Sequence, residues 1–427
     1  MHLSDIIRFY SKDNVKSKII SFARGREIVT RYNDKVGPRP ESIIYENDIL
    51  ELARMGATSF HASMERWKNP MLLSRDIKKS EMDELRSGWD LILDIDCDYL
   101  DYSKICANIL CQAIEFHGIK NYSIKFSGGT GFHIGIPFES FPNEINNKET
   151  RLLFPDGAKI IAEYLREMIK SQLAEDILNF EDINTIKKRT EKKFDELTKD
   201  GRFNPYSVIE IDTIAISTRH LIRMPYTFNE KTWLVSIPIK KEDILSFKKE
   251  FAEYQNVNVS LGFLENFKKN EAKQLFIQAF DWNVSQEAEK EIKKLGKKYE
   301  IPQNAVDKIF FPPCIKNIYK GLEDGRKRSL FILINFLRSV GWDHDSLVNE
   351  VEEWNNQNTN PLRESYVNSQ LNWHKKKDSY LPPSCKNNNY YSDIGICNPD
   401  DICKKIKNPV VYPFFKMKRK KVKKNVK

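Results

Sequence analysis

Two hydrophobic periods divide the chain. Residues 91–101 read LILDIDCDYLD, three large aliphatics followed by aspartates at 94, 96, 98 and 101. An aliphatic block entered from glycine in SGWDLILDID and left into acids predicts a buried strand that ends at a site. EIVTRY at 27–32 predicts another strand within a mixed first 90 residues. YSKICANILCQAIEFHG then has apolar residues near helical spacing and closes on Gly118, which predicts a helix. YSIKFSGGTGFHIGIPF predicts a strand, a glycine-rich turn and a second strand. Charged helices are expected over 155–200 and strand-like runs over 207–240, followed by a Lys- and Glu-rich stretch of helical period from about 241 to 300. Beyond FFPPC at 310–314 the pattern gives helices and then a loop-rich end containing Asn and Cys. The fold class this implies is α+β followed by a mainly helical domain.

Composition narrows the class. A chain of 427 residues, 40% hydrophobic and 30% charged, has room for about two or three globular domains. No apolar run approaches the roughly 18 residues of a membrane span, and MHLSDIIRFYSKDN has charges where a signal peptide would be apolar. The expectation is a cytoplasmic, nucleoid-associated protein with no membrane partner. The net charge of +9 sits almost wholly in the last twelve residues, KMKRKKVKKNVK, a solvated tail that can also attract phosphate polyanions. Of seven cysteines, Cys97, Cys106 and Cys111 lie near the acids, whereas Cys314, Cys385, Cys397 and Cys403 fall in the last third. This separation suggests two parts with different tasks.

In a strand, residues two apart share a side, so Asp94 and Asp96 project together while Ile95 faces the core. Two carboxylates so held repel unless protonated or bridged by hard divalent ions such as Mg²⁺ or Mn²⁺. In FSGGTGFHI, Gly128, Gly129 and Gly131 let backbone approach a ligand, Ser127 can donate to phosphate, and His133 projects from the following strand. Asp212, within EID, can supply a further metal carboxylate, and Arg223, within RHLIRMPYTFNEKT, has the chemistry for a triphosphate. Acids for metals, a glycine turn with histidine and a basic strand together describe nucleotidyl transfer better than a scatter of surface charges.

DLILDID, FSGGTGFHI and RHLIRMPYTFNEKTWLVS, in that order, resemble the three motifs of the catalytic small subunit of archaeal and eukaryotic DNA primases, and SFHASMERWKNP also fits. The resemblance implies a primase-type catalytic domain with a mixed β-sheet and flanking helices. It assigns two Mg²⁺ or Mn²⁺ ions to Asp94, Asp96 and Asp212, and nucleotide contacts to Ser127, Gly128, Gly129, Gly131, His133 and Arg223. Thr130 stands where the family usually has Arg or Lys, Asn229 where it has His, and Trp233 where it has Gly, so contacts at 130 and 229 are not carried over. Many archaeal members insert a zinc knuckle after the acids; here Cys106, Cys111 and His117 are expected to pack instead.

The intervals Cys314-x70-Cys385-x11-Cys397-x5-Cys403 are unlike the paired spacing of zinc ribbons. Buried free thiols and a cubane cluster both fit that spacing. FFPPCIKNIYKGL, YLPPSC, GICNPDDIC and KNPVVYP, however, resemble the iron–sulfur domain of the primase large subunit, which implies a [4Fe–4S] cluster on Cys314, Cys385, Cys397 and Cys403. The chain thus resembles a fused primase. Its expected parts are a small-subunit-like domain over 1–240, a helical connector over 241–304, an iron–sulfur domain over 305–413 and a basic tail over 414–427. The resemblance implies a nucleotidyltransferase of the DNA-directed RNA polymerase type, working in DNA replication and the primosome. It would synthesise short primers de novo from nucleoside triphosphates on single-stranded DNA, with RNA or DNA primer as product and other replication proteins as partners. A fused chain can act as a monomer. Arg326, Lys327 and Arg328, with Tyr366 and Trp373, are candidates for holding the initiating nucleotide or template. Two alternatives stand beside this: a primer-dependent gap-filling polymerase of the same superfamily, and a non-catalytic iron–sulfur nucleic-acid-binding protein.

Overall fold

The computed structural model describes residues 1–145, 148–213, 216–294, 301–375 and 381–417. The chain divides into two compact units, Met1–Phe280 and Asp281–Lys427. Among the described residues no helix is long and apolar enough to cross a membrane.

The first unit is built on two antiparallel sheets. In the five-stranded sheet the order is Glu210–Ile211, Leu91–Asp96, Phe132–Ile136, Ser123–Phe126, Pro238–Ile239. Leu91, Ile92, Leu93 and Ile95 are buried, so the aliphatic block forms the core strand expected of it. The predicted helix runs from Leu100 to Phe116 and stops where Gly118 takes a φ of +83°. Tyr102, Cys106, Ala107, Leu110 and Ile114 line its buried face, each full aliphatic burial being worth roughly 1.5–3 kcal/mol. Cys111 is also buried there, and His117 bonds Ala113 O at 2.7 Å and Tyr164 Oη at 3.1 Å, so all three residues pack within the fold as expected.

The expected mixed sheet is corrected: every strand pairing among the described residues is antiparallel. Leu91–Asp96 and Ser123–Phe126 do run the same way across a helical crossover. The return strand of the glycine hairpin, Phe132–Ile136, inserts between them and is antiparallel to both. A four-stranded sheet, Leu221–Arg223, Ser59–Ser63, Ile28–Tyr32, Lys35–Val36, completes the framework. The strand-like runs at 207–240 are therefore shared between two sheets.

The expected connector also differs. Residues 241–272 form two 3-10 turns, Lys241–Asp243 and Lys249–Ala252, among irregular segments, and helix begins only at Lys273. Ile244, Phe247, Ala252, Phe263, Leu264 and Ala272 drop into the core of the first unit. Their irregular spacing follows the sheet surface they cover, which a helix could not do.

The second unit is helical, with Pro313–Ile318, Arg326–Ser339, His344–Gln357 and Glu364–Lys375 around Phe311, Ile315, Leu333, Phe336, Leu337 and Trp354. Asp343 caps its helix by accepting from Ser346 N at 2.9 Å. Residues 418–427, most of the expected basic tail, lie outside the described residues.

Where the first strand block breaks, Asp90 is fully buried between two arginines. It pairs with Arg26 and with Arg66 at 2.7 Å, and accepts from Phe138 N at 2.8 Å. Replacing Asp90 with alanine leaves a buried guanidinium uncompensated. We expect a loss of about 3–5 kcal/mol in urea unfolding, with Asp90→Asn intermediate.

Candidate functional site

Strand register builds the site. Asp94 is paired with His133, and His133 with Lys125, on three neighbouring strands. On the other side Asp96 is opposite Glu210 and Ile95 opposite Ile211, so the next residue out, Asp212, lies beside Asp94 and donates its N–H to Asp94 O at 2.9 Å. Directly opposed residues share a face. Asp212, Asp94, His133 and Lys125 therefore form one line across the sheet, with Asp96 two residues along from Asp94 on the same side.

The line is electrostatically graded. Burial pushes the Asp94 carboxyl up to about 7; Lys125 pulls it back, while Asp96 and Asp212 push it further. Lys125 is fully buried, donates to Ser236 Oγ at 3.0 Å, and is driven down to about 7 by burial, with Asp94 opposing and Arg223 reinforcing the change. His133 Nε2 lies 3.2 Å from Asp94 Oδ1. Burial, then Lys125 and Arg223, push this imidazole well below its ordinary value and hold it neutral, and its buried Nδ1 has no hydrogen-bond partner among the described residues.

The glycine turn joins the strands that carry Lys125 and His133. Ser127 N donates to Gly131 O at 3.0 Å, and Ser127 Oγ accepts from Gly129 N at 3.3 Å. Gly128 sits at φ +90°, and a Cβ at Gly131 would stand 2.0 Å from Ile95 O, so neither position accepts a side chain.

From the four-stranded sheet, Arg223 pairs in register with His61. The Arg223 guanidinium donates to Phe228 O and pairs with Glu230 at 2.9 Å. His61 is held neutral by burial, then by Arg223, Arg31 and Lys125, and His220 is lowered by burial while Asp212 opposes. Arg223 and Lys125 each act on both His61 and His133, so side chains from the two sheets stand within electrostatic reach of one another. Asp98 is exposed in the following loop, and Asp101 pairs with Lys104 at 3.3 Å in the first turn of the next helix, both outside the line.

Lys125, His61, His220 and Glu230 were not marked by the sequence. Lys125 had a usable signal, since counting outward from the turn in IKFSGGTGFHI pairs 126 with 132 and 125 with 133. The other three depend on pairings between distant segments.

In the second unit Cys314 opens its helix, Cys385 donates N–H to Lys407 O at 2.8 Å, Cys397 to Tyr391 O at 3.0 Å, and Cys403 to Asp400 Oδ1 at 3.0 Å. Burial raises the Cys314 thiol, and Cys385, Cys403 and Cys397 each raise it further, so four distant segments are drawn into electrostatic reach. Cys385 is pushed up to about 12 by burial and by Cys403 and Cys397. Tyr391 is buried within electrostatic reach of Cys314, Cys385 and Cys397 and donates its hydroxyl to Pro383 O at 2.7 Å. The basic candidates are half-buried: Arg326 donates to Asn360 O, Lys327 lies 4.8 Å from the Tyr366 ring centroid, and Arg328 shares a field with Asp281 and Tyr390. Among the described residues no three His, Cys, Asp or Glu side chains converge in a metal-holding arrangement as they stand. The donor types still fit: three carboxylates on one sheet edge suit hard divalent cations, and four thiols suit an iron–sulfur cluster.

The DNA primase small subunit family model matches residues 82–240. The DNA primase small subunit PriS of Pyrobaculum islandicum is 28% identical over 217 residues, covering 45% of this chain and 67% of that protein. PriS of Pyrobaculum aerophilum is 29% identical over 198 residues, covering 39% of this chain and 58% of that protein. An uncharacterized protein of Methanocaldococcus jannaschii, MJECS07, is 24% identical over 285 residues, 62% of this chain and 61% of that protein. The chain therefore spans 58% to 67% of the length of these relatives. The polymerase domain from Mycobacterium tuberculosis ligase D, solved in complex with DNA, is similar at a TM-score of 0.36 and 14% identity over 57% of this chain and 82% of that one, too slight a likeness to argue from. The sequence matches support a primase-type catalytic domain, of the nucleotidyltransferase kind.

Asp94 gives the site a pH signature. Its carboxyl is ordinary in the unfolded chain and raised when folded, so the folded state loses stability as pH rises from about 4 to about 7 and carries the full penalty above that. In chelator at pH 8, Asp94→Asn should melt higher than wild type by the equivalent of about 1–2 kcal/mol, allowing for solvent screening, with the difference gone near pH 4. Mg²⁺ or Mn²⁺ should raise the melting temperature of wild type and not of Asp94→Asn.

Proposed function

We propose that the chain is a DNA primase that joins nucleoside triphosphates de novo on a single-stranded DNA template. The observation that carries this is the alignment of Asp212, Asp94 and His133 beside a glycine turn that excludes a side chain at Gly128 and Gly131. The residues divide the work by charge. Asp94, Asp96 and Asp212 would hold two divalent cations on the acidic edge, and Ser127, His133 and Arg223 would orient the triphosphate. When bound, the two ions acidify the attacking 3′-hydroxyl and neutralise the departing pyrophosphate. The protein's part is positioning and fixed electrostatics, with no covalent nucleophile.

His133 has a specific constraint. Its Nε2 stands 3.2 Å from Asp94 Oδ1 and its ring is neutral, so it would meet a phosphate as a neutral donor beside the acidic strand. Lys125 beneath supplies the compensating charge, since it and Asp94 each stabilise the other's ionised form.

Initiation needs two nucleotides ordered at once, a large entropic cost that a second gripping surface reduces. We assign that role to the second unit. Cys314, Cys385, Cys397 and Cys403 would hold a [4Fe–4S] cluster there, supplying a rigid fourfold cross-link between chain segments. The thiols of Cys314, Cys385 and Cys403 are raised, so loading the cluster would release protons.

The test is dinucleotide formation from labelled triphosphates on bare single-stranded DNA, run beside extension of a pre-annealed primer. Anaerobically prepared wild type should carry iron and sulfide and perform both reactions. Cys385→Ser should lose the iron and reduce initiation at least tenfold more than extension. Extension without any initiation by the wild-type chain would favour a primer-dependent polymerase.

A further inference from the structure

The Arg223 guanidinium does not stand alone at the site. It donates to Phe228 O and pairs with Glu230 Oε2 at 2.9 Å, both from the turn that follows its own strand. The other carboxylate oxygen, Oε1, accepts from Ser59 Oγ and, at 3.4 Å, from Thr58 Oγ1, at the start of the neighbouring strand. Burial alone would raise the Glu230 carboxyl, but Arg223 and Ser59 more than offset it and hold it below the usual range. The same turn is fastened to the glycine turn: Thr232 Oγ1 donates to Gly128 O at 2.5 Å, and a Cβ on Gly128 would stand 2.9 Å from Asn229 Cβ. Phe228 and Val235 close it with an antiparallel bridge.

We propose that Glu230 is a positioning residue that clamps the Arg223 guanidinium against the 228–235 turn, in fixed register with the glycine turn, so that its remaining N–H groups meet the triphosphate. This rests on the nucleotidyl-transfer reading above. Without the clamp, the Arg223 guanidinium keeps only its contact with Phe228 O, and the cationic Lys125 within its electrostatic reach tends to turn it away. The opposite role, a carboxylate occupying the seat of the phosphate and leaving when substrate arrives, fits the geometry poorly. Glu230 is tied on both oxygens and from two segments, and its release would strip Ser59 of its acceptor. Preorganising one donor in this way lowers the ordering cost of binding and acts chiefly on affinity.

The test uses the full-length chain, with triphosphate dissociation constants from fluorescence of a labelled nucleotide and steady-state primer extension. Glu230→Gln should raise KM and the dissociation constant for the triphosphate about tenfold with kcat within twofold of wild type, and Glu230→Asp should recover at least half of that loss. Ser59→Ala, which removes one donor to the same carboxylate, should raise both about threefold, and it serves alone if Glu230→Gln fails to fold. Unchanged constants in these variants overturn the proposal, and a lowered KM in Glu230→Gln overturns it in favour of a carboxylate that competes with the phosphate. Wild type that binds triphosphate but never extends a primer overturns the nucleotidyl-transfer reading, while the dissociation constants still decide on Glu230. Wild type that binds no triphosphate overturns both.

Discussion

Antiparallel register across the central sheet is the constraint on which the site depends. Leu91–Asp96, Phe132–Ile136 and the extended chain through Asp212 are locked by backbone hydrogen bonds, and those bonds dictate that Asp212, Asp94, His133 and Lys125 lie side by side. A slip of one residue would turn Asp94 into the core and Ile95 out of it. The buried aliphatics of the strand therefore do more than stabilise the sheet: they specify which carboxylates meet. The cost is burial and, behind it, like-charge crowding of the Asp94 carboxyl, which both raise it, and the buried Lys125 offsets part of this.

The glycine turn and the second sheet are fitted to this line. Gly131 lacks a side chain because the carbonyl of Ile95, within the acidic strand, occupies that space. The four-stranded sheet contributes His61 and Arg223 through its own register. Arg26, Arg66 and Asp90 form a buried ionic group at the far end of the acidic strand. These features tie the position of each charged group to the packing of its neighbours, as expected for electrostatic positioning in place of covalent chemistry.

Much of this was legible in the sequence, for local reasons. The period of two put Asp94 and Asp96 on one side, the aliphatic run fixed the strand, and the glycines marked the turn. What escaped was set by distant pairing. Lys125 looks like the polar position of a half-exposed strand, and only its pairing with His133 shows it buried. Glu230 looks like one more charge in FNEKT, and its meaning comes from Ser59 and Arg223 on adjacent strands. Residues 241–272 mislead because their Lys and Glu content resembles an amphipathic helix, whereas Phe247, Phe263 and Leu264 are anchors that pin irregular chain to the core. In the second unit the four cysteines were visible as a set, but their approach through Lys407, Tyr391 and Asp400 was not.

The claim at the centre of this account is that the aligned carboxylates perform nucleotidyl transfer. Single-turnover incorporation of a labelled nucleotide onto a templated primer, in wild type and in Asp94→Asn, Asp212→Asn and Asp98→Asn, tests it most directly. The first two should lose at least a thousandfold in rate while still binding template, and Asp98→Asn should stay within threefold of wild type. Incorporation by Asp94→Asn or Asp212→Asn at near the wild-type rate would contradict it.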